Sequence, residues 1–393
     1  MQMYRGLDNI TNKHPVAERG GIAHHLLGHI GWKEEYSVKQ FEEEALRIID
    51  DIHSRGKVPI LVGGTHYYNQ AVLFKNSTIA SSEAISNRPL TAQQEEILNS
   101  PAKVLEKLKT VDPLVAQKFH PNDTRRLRRA LEIYFTTDKR PSDIYSEQKT
   151  GGELETQLAS RYRSLILWIW SEQSVLDPRL DARVDDMVKN GLYDEVNEMY
   201  KEYNPDIDLE RGVWQVIGFR QFLPWLKGED ESPDSGVAAM KQATRKYAKR
   251  QTKWIKKKLL YMTKDIQTRE EDSVHVGVLD ATDLNDWSTK VSQRGVAIAK
   301  DFLNHRPFVH ALAPPGLEHL LDTRSEEESF NPDKWKHFTC DVCLTSEGNP
   351  HISVGQDAWD IHVKSRRHRQ ALKKQKRQRE IQEWKENKKQ ECS

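Results

Sequence analysis

Four potential metal ligands near the carboxyl end of the chain limit its fold more tightly than any other feature. Two residues separate Cys340 from Cys343, eighteen separate Cys343 from His362, and five separate His362 from His368. Thiolates and imidazoles paired in this way are the ligands of closed, tetrahedral zinc sites. Because so small a module cannot build a core without its metal, the spacing predicts a structural zinc finger over residues 337–373.

Aromatic and basic residues around these ligands support a finger. Phe338, Trp359 and Leu372 would form its small core, which disfavours the alternative of a chance CxxC beside surface histidines. The long loop and the wide histidine spacing resemble the matrin or U1-type fingers of RNA-associated proteins. The basic helix that follows the ligands, SRRHRQALKKQKRQR, suits phosphate contact, with a solvated charged tail as the alternative.

Short apolar runs alternate with helical patterns through the rest of the chain. Residues 58–62 read as a buried strand that leads through the turn GGT at 63–65 into a helix, and 39–55 as a helix that stops at glycine. Further buried strands are predicted at 165–170 and 274–279. Strands that alternate with helices favour an α/β fold with a parallel sheet, whose ligands bind at the carboxyl ends of the strands.

Two helical patterns carry most of the candidate anion-binding side chains. PNDTRRLRRALEIYF predicts a helix capped by Asn122 or Asp123, with arginines at 125, 126, 128 and 129 around an apolar stripe. A phosphate could bind at the start of such a helix, although a solvated surface helix is an equal alternative. DPRLDARVDDMVKNGLYDEV predicts a helix from Asp177 that places Arg179 and Arg183 one turn apart.

Composition excludes several classes of protein. No apolar run approaches the roughly 20 residues that cross a bilayer, and no signal peptide begins the chain, so we expect a soluble cytoplasmic protein, with mitochondrial or nuclear pools left open. The net charge of +1 conceals segregation, because residues 241–258 hold nine Lys or Arg and no acid, and residues 364–389 hold twelve basic and three acidic residues. Basic segments of this density favour a polyanionic partner.

These patterns divide the chain into segments. We expect an α/β core with long helical stretches and a C-terminal Cys2His2 finger. The expected segments are a first part of the core over 1–75, a largely helical stretch over 76–262 that includes an insertion and the strand near 165–170, a last core strand and helix over 263–304, a linker over 305–336, the finger over 337–373 and a basic tail over 374–393.

Six segments, taken in order, resemble one family. VGGTHYY, HPND-x-RR-x-x-R-x-LEIY, ARVDDMVKNGLYDEV, VWQVIGFRQFLPWL, ATRKYAKRQTKWIKK and the finger are similar to the eukaryotic tRNA dimethylallyltransferases, also called tRNA isopentenyltransferases. The resemblance covers nearly the whole chain, and TRKYAKRQTKW is its most distinctive element. It implies transfer of the dimethylallyl group of dimethylallyl diphosphate to N6 of the adenosine 3′ of the anticodon, with Mg²⁺ at the diphosphate and tRNA as partner of a monomer.

The resemblance also implies residue roles. Arg183 would reach the oxygen that bridges carbon and diphosphate, helped by Arg179, with Gly63, Gly64 and Thr65 at the diphosphate and Thr65 and Gln2 near the flipped adenosine. The residues implied to contact tRNA along its backbone are Arg125, Arg126, Arg128, Arg129, Arg245, Lys249 and Arg250. Flipping is required because the N6 of a stacked base is out of reach of the enzyme.

The resemblance also implies a P-loop-type core with a helical insertion, but these residues lack two parts of the family pattern, the phosphate-binding glycine loop and the aspartate used as base. No G-x4-G-K-[ST] motif occurs in the 393 residues, and Met1-Gln2-Met3-Tyr4 matches only the last four positions of the family's Asp-Ser-x-Gln-x-Tyr motif. The aspartate used as general base would fall before residue 1, so we expect a chain truncated at its N-terminus that binds tRNA but transfers poorly. The alternative function is a non-catalytic RNA-binding zinc-finger protein.

Overall fold

The computed structural model of the chain describes most of its length. The described residues are 1–77, 89–150, 158–322, 335–345 and 348–391. The chain divides into two compact units, and each unit is made of two separate stretches. The first unit is 1–81 with 158–325, and the second is 82–157 with 326–393. No helix within the described ranges combines the length and the apolar character that a bilayer crossing requires.

Helices dominate both units. In chain order they are α1 (Val38–Ser54), α2 (His66–Leu73), α3 (Ala92–Leu98), α4 (Pro101–Val111), α5 (Pro113–Lys118), α6 (Thr124–Thr137), α7 (Pro141–Thr150), α8 (Gln173–Lys189), α9 (Leu192–Glu202), α10 (Phe219–Leu226), α11 (Asp234–Trp254), α12 (Leu260–Gln267), α13 (Arg294–Leu303), α14 (Gln356–Val363) and α15 (Arg366–Glu391). The strands are β1 (Phe74–Lys75), β2 (Ala159–Ser160), β3 (Ser164–Trp170), β4 (Val274–Asp280), β5 (His337–Leu344) and β6 (Pro350–Val354).

A parallel pair of strands lies in the first unit. β3 and β4 run side by side from Ser164 opposite Val274 to Trp170 opposite Asp280, which confirms both strand predictions and the parallel α/β arrangement. Their inner side chains join those of α12 in a core that includes Trp168, Val276 and Ile266. The long crossover between the two strands is largely helical, as parallel pairing requires.

The strand predicted over residues 58–62 is wrong. The segment forms no regular secondary structure, and its apolar side chains face solvent, with Ile60 84% and Val62 86% exposed. A strand exists only where a neighbour accepts and donates its backbone hydrogen bonds. No described strand pairs with this segment, so its apolar sequence does not become part of a sheet.

The helices on either side of this segment form as predicted. Ser37 and Gln40 build a capping box at the start of α1, and the helix stops before Gly56, whose φ of +65° favours glycine. α2 begins immediately after the GGT turn. α8 begins at Gln173, one turn earlier than predicted, with Pro178 inside it. A proline so close to the amino end removes only one intrahelical hydrogen bond, so the helix continues through it.

The first thirteen residues are held against α9. Both carboxylate oxygens of Glu195 accept backbone N–H groups, from Asn9 at 2.8 Å and from Ile10 at 2.7 Å, and the Asn9 side chain donates to the carbonyl of Met187. The ammonium of Lys13, almost fully buried, donates to the carbonyl of Tyr4 at 2.6 Å and to Asp8 at 2.9 Å. The loop that carries Gln2 is therefore fixed on the first unit.

Part of the segment assigned to a linker packs onto the parallel strands. The N–H of Val278 donates to the carbonyl of Leu312 at 2.7 Å, and Leu320 is buried in the core beside β4. The absence of periodicity in this stretch reflects irregular packing onto β4.

The second unit combines a helical bundle with the segment that the sequence predicts to be a finger. Leu108, Leu127 and Leu131 form the centre of a core shared by α3 to α6. Asp123 caps α6 by accepting from the N–H of Arg126 at 3.2 Å, which identifies it as the cap among the two predicted candidates. The hairpin β5–β6 is antiparallel and is followed by α14 and by the long α15, which continues through the residues assigned to a basic tail.

Candidate functional site

The GGT turn of the first unit lies directly on α11. The carbonyl of Gly64 accepts from the side-chain amide of Gln251 at 2.9 Å, and the Thr65 hydroxyl is 3.4 Å from that of Tyr247. The ring of His66 stacks on Trp254 with 4.6 Å between centroids. A Cβ added to Gly64 would be 2.2 Å from the Gln251 amide nitrogen. A side chain at this position would therefore displace the amide of Gln251, and the hydrogen bond to Gly64 joins two motifs that are distant in sequence.

Arg179 fixes α8 to the carboxyl end of the parallel strands. Its guanidinium donates to the carbonyl of Ala281 at 2.7 Å and to that of Thr282, both directly after β4. These bonds use two of the five N–H donors of the side chain. The role of Arg179 at a diphosphate remains a prediction, but its structural role is to anchor the helix that carries Arg183.

Arg183 lies one helical turn beyond this anchor and is exposed to solvent. Within the described ranges it forms no hydrogen bond and no ion pair, in contrast to Arg179. Partial desolvation by the surrounding protein lowers the pKa of Arg183, which nevertheless stays charged near neutrality because its ordinary value is so high. An uncompensated guanidinium close to the carboxyl edge of a parallel strand pair is suited to bind an anion.

Three ion pairs join α8 to α11. Asp185 contacts Lys241 at 2.6 Å, Asp177 contacts Lys249 at 3.2 Å, and between them Asp181 binds Arg245. We call these six residues the ladder. Members on each helix are four residues apart, so they share one face, and the two helices run antiparallel along it. Arg245 and Lys249, predicted to contact tRNA, are therefore engaged within the protein, and that predicted contact stays untested.

The other candidates in the first unit are Gln2 and Arg250. The Gln2 side-chain amide donates to the carbonyls of Thr11 at 3.0 Å and Asn12 at 2.7 Å, which leaves its oxygen for a ligand. The guanidinium of Arg250 lies 5.7 Å from the ring centroid of Tyr247, the residue that contacts Thr65. Both predictions on tRNA contact remain open.

The four arginines of α6 lie in the second unit. Arg126 pairs with Asp123 at 2.6 Å and Arg129 with Glu132 at 2.9 Å, both on exposed faces of the same helix. Arg125 is exposed and Arg128 is half-buried. Exposed pairs of this kind contribute about 0–1 kcal/mol each, so a phosphate could compete for these guanidinium groups at little cost.

The Cys/His cluster of the second unit has the geometry of a metal site. One donor atom from each of Cys340, Cys343, His362 and His368 lies within 4.8 Å of every other, and only His368 is not buried. Nδ1 of His368 is 3.5 Å from each of the two sulfur atoms. Sulfur and nitrogen ligands at their usual distances on a tetrahedral zinc ion are about 3.5 Å apart, so this donor set fits the ion.

His362 supplies a second observation in favour of a metal. Its buried Nε2 has no hydrogen-bond partner among the described groups, which is costly unless an unseen ligand satisfies it. Burial lowers the pKa of His362, which keeps the imidazole neutral, the form that binds a metal. His351 stacks on His362 with 4.1 Å between ring centroids but lies outside the donor set, which consists of the four ligands predicted from the sequence.

Sequence reasoning missed the ladder. The basic segment 241–258 was interpreted as free for RNA, whereas its Lys241, Arg245 and Lys249 pair with acids of α8. The signal was present in the sequence, because aspartates recur every four residues from Asp177 and cations recur with the same spacing from Lys241. Opposite charges that recur every four residues on two helices can form ion pairs along the faces by which those helices contact each other.

Together these features define an α/β protein with a parallel strand pair and a separate Cys2His2 cluster that could hold a metal ion. The profile of the family described as IPP transferase matches residues 2–258, and the chain belongs to that family.

Proteins with established names extend the match to nearly the whole chain. The tRNA dimethylallyltransferase of Saccharomyces cerevisiae is 43% identical over 99% of this chain and 88% of the relative, and that of Homo sapiens is 31% identical over 96% and 80%. A crystal structure of a eukaryotic dimethylallyltransferase acting on tRNA superposes with a TM-score of 0.76 at 42% identity, over 98% of this chain and 91% of the other. The family expected from the sequence is confirmed.

Proposed function

We propose that the protein is a tRNA dimethylallyltransferase that modifies N6 of the adenosine 3′ of the anticodon. The observation that carries the proposal is Arg183, a cation without an ion-pair partner among the described residues, on the helix that Arg179 anchors to the carbonyl of Ala281 after β4. Its position within ARVDDMVKNGLYDEV, one of the motifs shared with the family, supports the assignment. The named relatives support the choice of tRNA and of the dimethylallyl group.

The transfer breaks two bonds and forms one. The C–O bond of dimethylallyl diphosphate breaks and the diphosphate leaves with the electron pair, the adenosine N6 bonds to the allylic carbon, and one N–H bond of N6 breaks as its proton passes to solvent water. Negative charge grows on the departing bridging oxygen, where a fixed cation stabilises the transition state more than the ground state. Arg183 would supply that charge. No residue of this chain is assigned as the proton acceptor.

Two metals enter the proposal in different roles. We infer that the Cys2His2 cluster holds zinc as a structural ion, because its four donors leave no position for chemistry. Mg²⁺ is proposed at the diphosphate by resemblance alone. Outside the finger, no group of three metal-binding side chains lies close together in the described ranges, so no step of the transfer is assigned to that ion.

The proposal is tested by measuring label transferred from dimethylallyl diphosphate to tRNA in single turnovers with excess protein. Arg183→Ala should slow transfer by about 10²–10³ while tRNA affinity stays unchanged, since the charge acts on the leaving group. Arg55→Ala, which removes an exposed cation at the C-cap of α1, is the control and should have no effect on transfer. Equal rates in the wild type and Arg183→Ala would refute the assigned role.

A non-catalytic RNA-binding protein is the second candidate, since no G-x4-G-K-[ST] motif occurs in the sequence. The same assay separates the two. tRNA binding without any transfer, and without affinity for dimethylallyl diphosphate, would favour the second candidate. A protein that bound tRNA no better than an unrelated RNA of equal length would contradict both.

A further inference from the structure

Hydrogen bonds join the finger to the helical bundle of the second unit. The side chains that form them are neither metal ligands nor arginines of α6. Nε2 of His120 is 3.1 Å from the carbonyl of Ile352 in β6, and Nε2 of His337 in β5 is 2.8 Å from the carbonyl of Gln117 in α5. The ammonium of Lys118 lies 4.6 Å from the ring centroid of Tyr145 and 5.4 Å from that of Trp335. All of these contacts lie within the second unit.

The tautomer of His120 follows from its two partners. Nδ1 accepts the backbone N–H of Asn122 at 3.0 Å, so the proton of the neutral ring must be on Nε2, which donates to Ile352. One ring therefore connects the turn before α6 to the hairpin of the finger. The same turn is closed by the N–H of Asp123, which donates to the carbonyl of His120 at 2.8 Å.

Each end of this connection leads to a functional feature. Ile352 directly follows His351, which pairs with the metal ligand Cys340 across the hairpin and stacks on the ligand His362. Asp123 caps α6 and binds Arg126, the second residue of its arginine series. A continuous path of short contacts thus joins the metal ligands to the arginine-rich start of α6.

We propose that the metal-loaded finger positions the start of α6 for tRNA, and that His120 is the positioning residue between them. The inference rests on the proposed function, because it takes tRNA as the partner. Guanidinium groups that are already placed lose less freedom when a phosphate binds, so a fixed helix start raises affinity without adding a contact. The finger then contributes to tRNA affinity through α6, apart from any contact of its own.

Two substitutions of His120 separate the contact with the finger from the local turn. In His120→Gln an amide N–H can replace Nε2 and still donate to Ile352. In His120→Asn the shorter side chain can still accept from Asn122 but cannot reach Ile352. tRNA affinity of the full chain with zinc bound is measured by fluorescence anisotropy at fixed salt, because phosphate contacts depend on salt.

We expect His120→Asn to weaken tRNA binding about fivefold, the effect of one hydrogen bond lost, and His120→Gln to bind within about twofold of the wild type. Zinc content and circular dichroism should match the wild type in both. Wild-type affinity in both variants would overturn the inference. An equal loss in both would overturn it too, because the local turn would then be the feature that matters.

A double-mutant cycle tests positioning directly. Arg128→Ala should reduce tRNA affinity less in the His120→Asn background than in the wild type, because an arginine on a loosened helix contributes less. Additive losses would contradict the inference. As a measurement without substitutions, chelation of zinc from the wild type should reduce hydrogen-exchange protection of α6 amides at Leu127 and Ala130, and unchanged protection would also contradict it.

These outcomes are distinct from a failure of the proposed function. The diphosphate site lies in the first unit, and its affinity for dimethylallyl diphosphate is measured separately in every variant. Normal diphosphate affinity and normal tRNA affinity in His120→Asn would refute the inference alone. Loss of preference for tRNA in the wild type would refute the proposed function.

Discussion

The central pair of the ladder gives the sharpest test of how α8 is held. Asp181 and Arg245 are 34% and 30% exposed, so their ion pair lies between the surface and the interior. A hydrogen bond between charged groups contributes about 1.5–3 kcal/mol, and solvent screening reduces an exposed pair to about 0.2–1 kcal/mol. For a pair about one-third exposed we expect a coupling free energy of about 1–2 kcal/mol.

The measurement is a double-mutant cycle on the free energy of unfolding. Asp181→Ala, Arg245→Ala and the double variant are unfolded in urea at pH 7 and followed by circular dichroism and by tryptophan fluorescence. Each substitution should lower the free energy of unfolding more in the wild type than in the variant that already lacks the partner residue. The reason is that removing one partner alone leaves the other as an unpaired, partly buried charge. High salt should reduce the coupling only in part.

Asp186 and Lys189 provide a matched control on the same helix. Their ion pair is 2.9 Å long but 64% and 72% exposed, so its coupling should be much smaller and should vanish in high salt. A coupling at Asp181 and Arg245 that is no larger than at this control would refute the reasoning. The central pair of the ladder would then contribute no more to holding α8 than an exposed surface pair does.

Three further predictions concern separate features. Cys343→Ser should abolish zinc binding and unfold the finger while α8 and the parallel strands stay folded, because the metal supplies most of the folding free energy of such a module; unchanged zinc content and circular dichroism would exclude the site. Gly64→Ala should cost about 1 kcal/mol in urea unfolding by displacing the amide of Gln251, and adding it to Gln251→Ala should cost almost nothing more; additive losses would contradict the contact. Hydrogen bonds from Arg163 and His275 lower the pKa of Asp272 to about 2, below its ordinary value near 4, so its stabilising effect is present above pH 4 and disappears as the pH falls towards 2. Asp272→Asn should remove this part of the acid dependence of unfolding, and an unchanged profile between pH 4 and 2 would show that the pair contributes nothing.

Local patterns in the sequence determined most of the elements. The strands around Leu167 and Val276, the glycine stop of α1 and the Asp123 cap follow from periodicity and from side chains that bond the neighbouring backbone. The four candidate metal ligands could be chosen from spacing, because each of two short segments supplies one pair of donors, and the β5–β6 hairpin with α14 and α15 brings the pairs together. The family could be recognised for the same reason, since its motifs are contiguous.

Contacts between distant segments were decided only by the tertiary structure. Residues 58–62 have the composition of a strand, but pairing requires a neighbour that composition cannot supply. The cations of α11 look free in sequence, but Arg245 is neutralised by Asp181, 64 positions earlier. His120 shows no signal at all, since its role depends on the carbonyl of Ile352, 232 positions later. Sequence fixes what each segment can form, whereas burial, pairing and charge compensation depend on what the fold places beside it.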